Sequence, residues 1–243
     1  MTAGQTRPAF YALAPGGWRD YVTLLHPPYT AWHLSYVVVG GCLAPVVSWS
    51  RLGWTTLAFA LALGVGAHAL DELRGRPLRT RIPAGVLVAL AVCSVGIAAA
   101  IGIAVALEFS LWILPLVALG AFLVPAYNLE LLGGRLHTDL GFALAWGAFP
   151  ALTGYVACAG AVHVEAALAA AWATALSLAQ RRLSTPVRRA RRLATSVEGE
   201  VRLADGTVEP ITERTLTAAP EEALRLLAAA AVLAAAALAA ARL

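Results

Sequence analysis

Seven stretches of this 243-residue chain are long and apolar enough to cross a bilayer, and that limits what it can become. They run roughly over 30–49, 54–71, 84–106, 110–127, 140–160, 164–180 and 222–241. A helix needs about 20 largely apolar residues to span the hydrocarbon. No water is available there, so each backbone N–H and C=O must be bonded within the segment, which makes such runs helices. Of the residues, 60% are hydrophobic and only 13% charged, about half the charged share of a soluble domain. The expectation is an all-α integral membrane protein of about seven transmembrane helices. The first 25 residues contain Pro8, Pro15, Gly16, Gly17, Arg19 and Asp20 and no apolar core, unlike a signal peptide. Cys42, Cys93 and Cys158 each lie inside an apolar run, as small buried hydrophobes do rather than zinc ligands or disulfide partners.

Arginine placement gives an orientation. With residue 1 inside, sixteen arginines fall on the inner side and two, Arg51 and Arg242, on the outer. The positive-inside rule then puts the N-terminus in the cytoplasm and the C-terminus outside. The chain has no lysine, and its Ala, Arg and Leu bias suggests a GC-rich prokaryote, hence an inner or cell membrane. The expected layout is a cytoplasmic segment over 1–28, six spans over 29–185, a basic and polar cytoplasmic loop over 186–221 and a last helix over 222–243, started by Pro220-Glu221-Glu222. That helix is almost entirely Ala and Leu, able to span and pack but without chemistry. The basic loop is explained by orientation and anionic lipid, and no basic patch with interleaved aromatics points to nucleic acid.

Polar residues gather on the inner side. His26, Tyr29 and His33 sit where the first span enters, and His68, Asp71 and Glu72 where the second leaves. Tyr127, Asn128 and Glu130 end the fourth, and Arg135, His137 and Asp139 precede the fifth. Intramembrane titratable residues mark function by default, so a polar cavity open to the cytoplasm is expected. His33, Tyr127, Asn128, Glu130, His137 and Asp139 are its candidate lining. The segment from Ala67 to Pro83 is the densest part. His68 is three residues from Asp71 and four from Glu72, so all three can share one helix face. One or two carboxylates with phosphate and water suit magnesium, and Arg74, Arg76 and Arg79 are natural partners of a diphosphate. The same residues also read as an ion-pair network closing a helix end, the arginines as topology signals, and each histidine as a hydrogen-bonded structural residue.

Taken together, Asp71-Glu72 followed by Arg76-Pro77-Leu78 and Ile82-Pro83, Tyr127-Asn128 through Arg135 to Trp146-Gly147, and the opening Leu25-His26-Pro27-Pro28 resemble the UbiA superfamily of intramembrane prenyltransferases over residues 20 to 185. The resemblance implies a helical bundle with a central cavity facing the cytoplasm. It also implies a polyprenyl diphosphate as substrate or isoprenoid ligand and Mg2+ at Asp71 and Glu72, with His68 beside them as a catalytic group. Arg76, Arg79, Arg135 and Arg181 would bind the diphosphate. The chain departs from the family in an abbreviated first acidic motif, with Gly75 where a later aspartate stands. In place of the second motif it reads Ser177 to Pro186 without any acid. The family usually has nine helices. Four readings follow: a prenyltransferase or terpene cyclase, a non-catalytic isoprenoid or lipid binder, a transition-metal enzyme using His68, Asp71, Glu72 and His137, and a transporter.

Overall fold

The computed structural model describes residues 7–243, so the first six residues of the expected 1–28 segment lie outside it. A short helix α1 (Trp18–Leu24) precedes α2 (Pro27–Leu43), α3 (Trp49–Leu73), α4 (Ala84–Glu108), α5 (Ile113–Asn128), α6 (Asp139–Ala159) and α7 (Val164–Arg188). A two-stranded antiparallel hairpin, β1 (Glu200–Arg202) with β2 (Val208–Pro210), leads into α8 (Glu213–Ala240). Four helices, α3, α4, α6 and α8, are long and apolar enough to cross a membrane, and α5 is a shorter apolar helix. Helices α2 and α7, read from the sequence as spans, fall outside that criterion. The reason is polar content: α2 has 17 residues and includes Tyr29, Thr30, His33, Ser35 and Tyr36, while α7 carries Glu165, Gln180, Arg181 and Arg182.

Of these two, α2 forms the inside of the bundle and α7 packs against it along one face. Trp32 and Tyr36 of α2 are fully buried against Ala151 of α6, Ala169 and Ala173 of α7, and Leu224 and Ala228 of α8. Helix α4 is the reverse: it is the most apolar of the four, yet only 17% of its most apolar window is buried. Val88, Val92, Ile97 and Leu107 project outward from it, as on a lipid-facing helix.

The stretch expected as a loop over 186–221 is structured at both ends. Helix α7 continues through Pro186 to Arg188 and then a wide π turn, Arg189–Leu193. Helix α8 starts at Glu213 rather than at Pro220 because Thr212 and Thr215 form a reciprocal capping box upstream. Arg51 and Arg242, the two arginines separated from the rest by sequence, meet at one end of the bundle. Their Nε atoms donate to the carbonyls of Ala157 (2.8 Å) and Cys42 (2.9 Å).

Helices α2 and α6 cross at backbone contact. A methyl group on Gly40 would overlap the Ala151 carbonyl, and one on Gly154 the Val37 carbonyl. Small residues allow such approaches in membrane bundles, and a carbonyl, unlike a side chain, cannot turn aside. Gly154→Val is therefore expected to exceed the about 1–3 kcal/mol usual for overpacking and to abolish the monodisperse peak on size exclusion in detergent. Gly53→Ala, where nothing lies within 4 Å, is expected to elute as the parent does.

Candidate functional site

The end of the bundle away from Arg51 and Arg242 encloses a polar cavity of about 410 Å3. Helix α2 and its entry turn contribute His26, Tyr29 and His33. Helix α3 contributes His68 and Asp71 and its C-cap Arg74, α5 Tyr127 and Asn128, and the connection to α6 His137. Residues 8–11 cover the mouth, with the Pro8 carbonyl accepting from Arg192 Nε at 3.2 Å and Tyr11 Oη 2.8 Å from His26 Nδ1. Cation–π stacking of Arg225 on Phe10, 4.7 Å from the ring centroid, fixes this strap to α8.

Two widened helical turns shape the cavity. Helix α3 is π-helical over Ala60–Ala67 and α6 over Leu144–Ala148. Such turns recur at functional sites because they re-aim side chains and carbonyls within a helix. Here the Gly64 carbonyl lies 3.0 Å from His68 Nδ1 and the Trp146 carbonyl 2.7 Å from His33 Nδ1.

Helix α7 supplies the positive wall. Arg181, Arg188 and Arg192 repeat at seven and four residues, so they share a face with Gln180 and Ser184, and all five line the cavity. Arg181 is braced by Asp139 at 2.9 Å. Arg188 is partly shielded, and burial together with its guanidinium neighbours pulls its pKa below the usual arginine value. Three buried polar atoms around the cavity, His26 Nε2, Tyr127 Oη and Gln180 Oε1, have no hydrogen-bond partner among the described residues. Orphaned buried groups are rare in folded proteins and mark this region as unusual.

The acidic pair does not face the cavity as a pair. Asp71 lines it and makes no side-chain hydrogen bond among the described residues. Glu72 points the other way, is fully buried, and accepts from Leu78 N–H (2.9 Å), Thr80 N–H (2.8 Å) and Thr80 Oγ1–H (2.9 Å). Adjacent helical residues differ by about 100° in direction, which is why the i+3 and i+4 positions diverge here. Glu72 thus organises the 74–83 loop, and the expected two-carboxylate magnesium site at Asp71 and Glu72 is corrected. Nor do the described residues hold any group of three His, Cys, Asp or Glu side chains able to bind a metal ion. The set weighed for a transition metal, His68, Asp71, Glu72 and His137, is not gathered around one point.

Other expected residues are redistributed too. Arg76 turns back onto the carbonyls of Thr80 and Ile82, while Arg79 and Arg135 are exposed away from the cavity. Glu130 pairs with Arg74 at 2.7 Å, tying the end of α5 to the end of α3, and Asp139 pairs with Arg181; neither acid lines the cavity. Of the arginines expected to meet a diphosphate, Arg74 and Arg181 line it; Arg188, Arg192 and Gln180 are the residues sequence reasoning missed. Their spacing is the signal, hidden by Pro186, which ordinarily stops a helix.

An apolar crevice of about 90 Å3 shares Leu63 and Trp146 with the polar cavity. It extends between α3, α4, α5 and α6 along Phe59, Val95, Gly102, Val124 and Phe149. The polar chamber and the apolar slot therefore meet at two side chains. No family model matches the chain, and neither a curated protein nor a solved structure shows significant similarity to it.

Two predictions follow from the bonding. Glu72→Ala leaves three buried donors unmatched, and each charge-assisted bond is worth about 1.5–3 kcal/mol. Thermal melting in detergent is expected to fall sharply, with faster proteolysis between Arg74 and Arg81. His26 is held neutral by burial first and by the adjacent His68 second, well below the ordinary 6.5. The unfolded chain takes up a proton below that pH which the fold refuses, so the stability is complete above about 6.5 and lost as pH falls. Melting followed from about pH 7.5 down to about pH 5 should fall for the parent and fall less for His26→Gln.

Proposed function

We propose that this chain is a UbiA-like intramembrane protein that acts on a polyprenyl diphosphate, with about seven membrane helices and its arginine-rich end in the cytoplasm. The observation that carries the reading is the pairing of a three-arginine wall and orphaned polar atoms with an apolar crevice reached past Leu63 and Trp146. A diphosphate needs dense positive charge and hydrogen-bond donors, and an isoprenoid tail needs an apolar slot leading from it. The sixteen-to-two arginine division supports the orientation.

On this reading Arg181, Arg188 and Arg192 take the place that metal and a second acidic motif hold in the family. Breaking the allylic C–O bond sends its electron pair to the departing diphosphate, and preorganised guanidinium groups stabilise that charge. The carbocation is then captured by an acceptor, or by an alkene of its own chain in a cyclisation. Asp71, the carboxylate that lines the cavity, would lie beside the cation. A second reading, a binder of isoprenoid or other anionic lipid without turnover, draws support from the commitment of Glu72 to the 74–83 loop.

Native mass spectrometry with geranylgeranyl diphosphate, followed by product extraction, separates the readings. The expected result is an adduct that does not require magnesium and is weakened about ten-fold or more by Arg188→Ala and by Arg192→Ala, the loss of one charge-assisted bond each. Consumption of the diphosphate supports the enzyme, and an adduct without consumption supports the binder. Absence of any adduct overturns both.

A further inference from the structure

The imidazoles on the remaining walls of the cavity are oriented alike. His33, His68 and His137 each hold Nδ1 against a backbone carbonyl, of Trp146 at 2.7 Å, Gly64 at 3.0 Å and Tyr127 at 3.3 Å. A carbonyl only accepts, so Nδ1 carries a proton in all three rings, and in the neutral ring Nε2 keeps a lone pair. All three residues line the one cavity, and their Nε2 atoms make no hydrogen bond among the described residues. Each ring is also held in place. His68 stacks on His26 with centroids 4.0 Å apart, His137 stacks on Tyr127 at 4.6 Å, and His33 packs edge-on between Tyr36 and Phe142. Rotamer freedom is therefore small, and the acceptor sites are set before any ligand arrives.

The three Nε2 atoms are acceptors, so a hydroxyl group can donate to them and a phosphate, carboxylate or ketone cannot. An ammonium group could donate as well, but Arg181, Arg188 and Arg192 line the same cavity against the one carboxylate of Asp71 and disfavour a cation. A single anion also leaves much of a chamber of about 410 Å3 unfilled; cavities that hold whole small molecules begin near this size.

We propose that the His33, His68 and His137 wall is a second subsite, which takes an uncharged group carrying two or more hydroxyl donors. It rests on the preceding reading for what fills the arginine side, but not for its own chemistry. The hydroxyls belong either to a separate molecule or to the substituted end of the same amphiphile.

The protein has five histidines, so its 15N-histidine spectrum in detergent micelles is assignable by single substitutions. The probes are 1,4-cyclohexanediol and 1,4-dimethoxycyclohexane, which share a ring and differ in the O–H donors. Three pyridine-type Nε2 resonances are expected for His33, His68 and His137, each shifted by the diol and unmoved by the dimethyl ether. His68→Phe should remove one shift and weaken the others, and the less buried His137→Phe serves if that variant does not fold. A diol shift that persists with geranylgeranyl diphosphate bound places the hydroxyls on a separate molecule; one blocked by the diphosphate places them on the amphiphile itself. Equal response to diol and ether, or no response in protein that binds geranylgeranyl diphosphate, overturns the subsite and leaves the diphosphate reading standing. A diol-specific shift in protein that binds no diphosphate keeps the subsite and removes the earlier reading.

Discussion

A carboxylate buried at the end of an apolar helix must be bonded or its burial destabilises the fold, and the bonds made by Glu72 set the architecture of the polar end. Its two oxygens draw Leu78 and Thr80 back over the end of α3. The chain between them bends through left-handed residues at Gly75, Arg76 and Arg79. Arg81, carried past the turn, offers its N–H to Asp20, and Asp20 in turn accepts from Gly16. One buried acid thus links the second long helix, the loop after it and the N-terminal segment. That frees the opposite side of α3, with His68 and Asp71, to face the cavity.

The apolar pattern of the sequence located the helical bundle and the gathering of polar residues at one end. It also picked out the segment around Asp71 as the densest of them. It did not separate Asp71 from Glu72. Both are acids on the same turn, and their opposite directions depend on donors from a loop whose path is not periodic. The π turns at Ala60–Ala67 and Leu144–Ala148 are equally silent, since an extra residue per turn leaves no compositional mark, and they decide which carbonyls meet His68 and His33. The loop expected over 186–221 begins instead as helix: α7 runs through Pro186 to Arg188, and the π turn after it carries Arg192 onto the face already begun by Arg181.

The cavity and the crevice lie side by side and differ in chemistry. Guanidinium groups and imidazoles line the first, aliphatic and phenyl groups line the second, and Leu63 and Trp146 line both. Charge is handled locally rather than spread. Asp139 braces Arg181, and Glu130 engages Arg74, while Arg191 is bound by Glu221 and Glu213 outside the cavity. Arg188 is left without a carboxylate partner among the described residues, and Arg192 spends its Nε on the Pro8 carbonyl. Positive charge is therefore concentrated where the wall is most sheltered, and electrostatic attraction is strongest where water is least able to screen it.

The strap across the mouth has a consequence for how the molecule assembles. Pro8 meets Arg192 across 184 positions of sequence, and Phe10 is held by Arg225 from the last helix. Contacts at such separation form late, because the loop they close must first be brought together. Residues 8–11 therefore settle only after α7 and α8 have packed, and until then the cavity stays unroofed and open at its mouth.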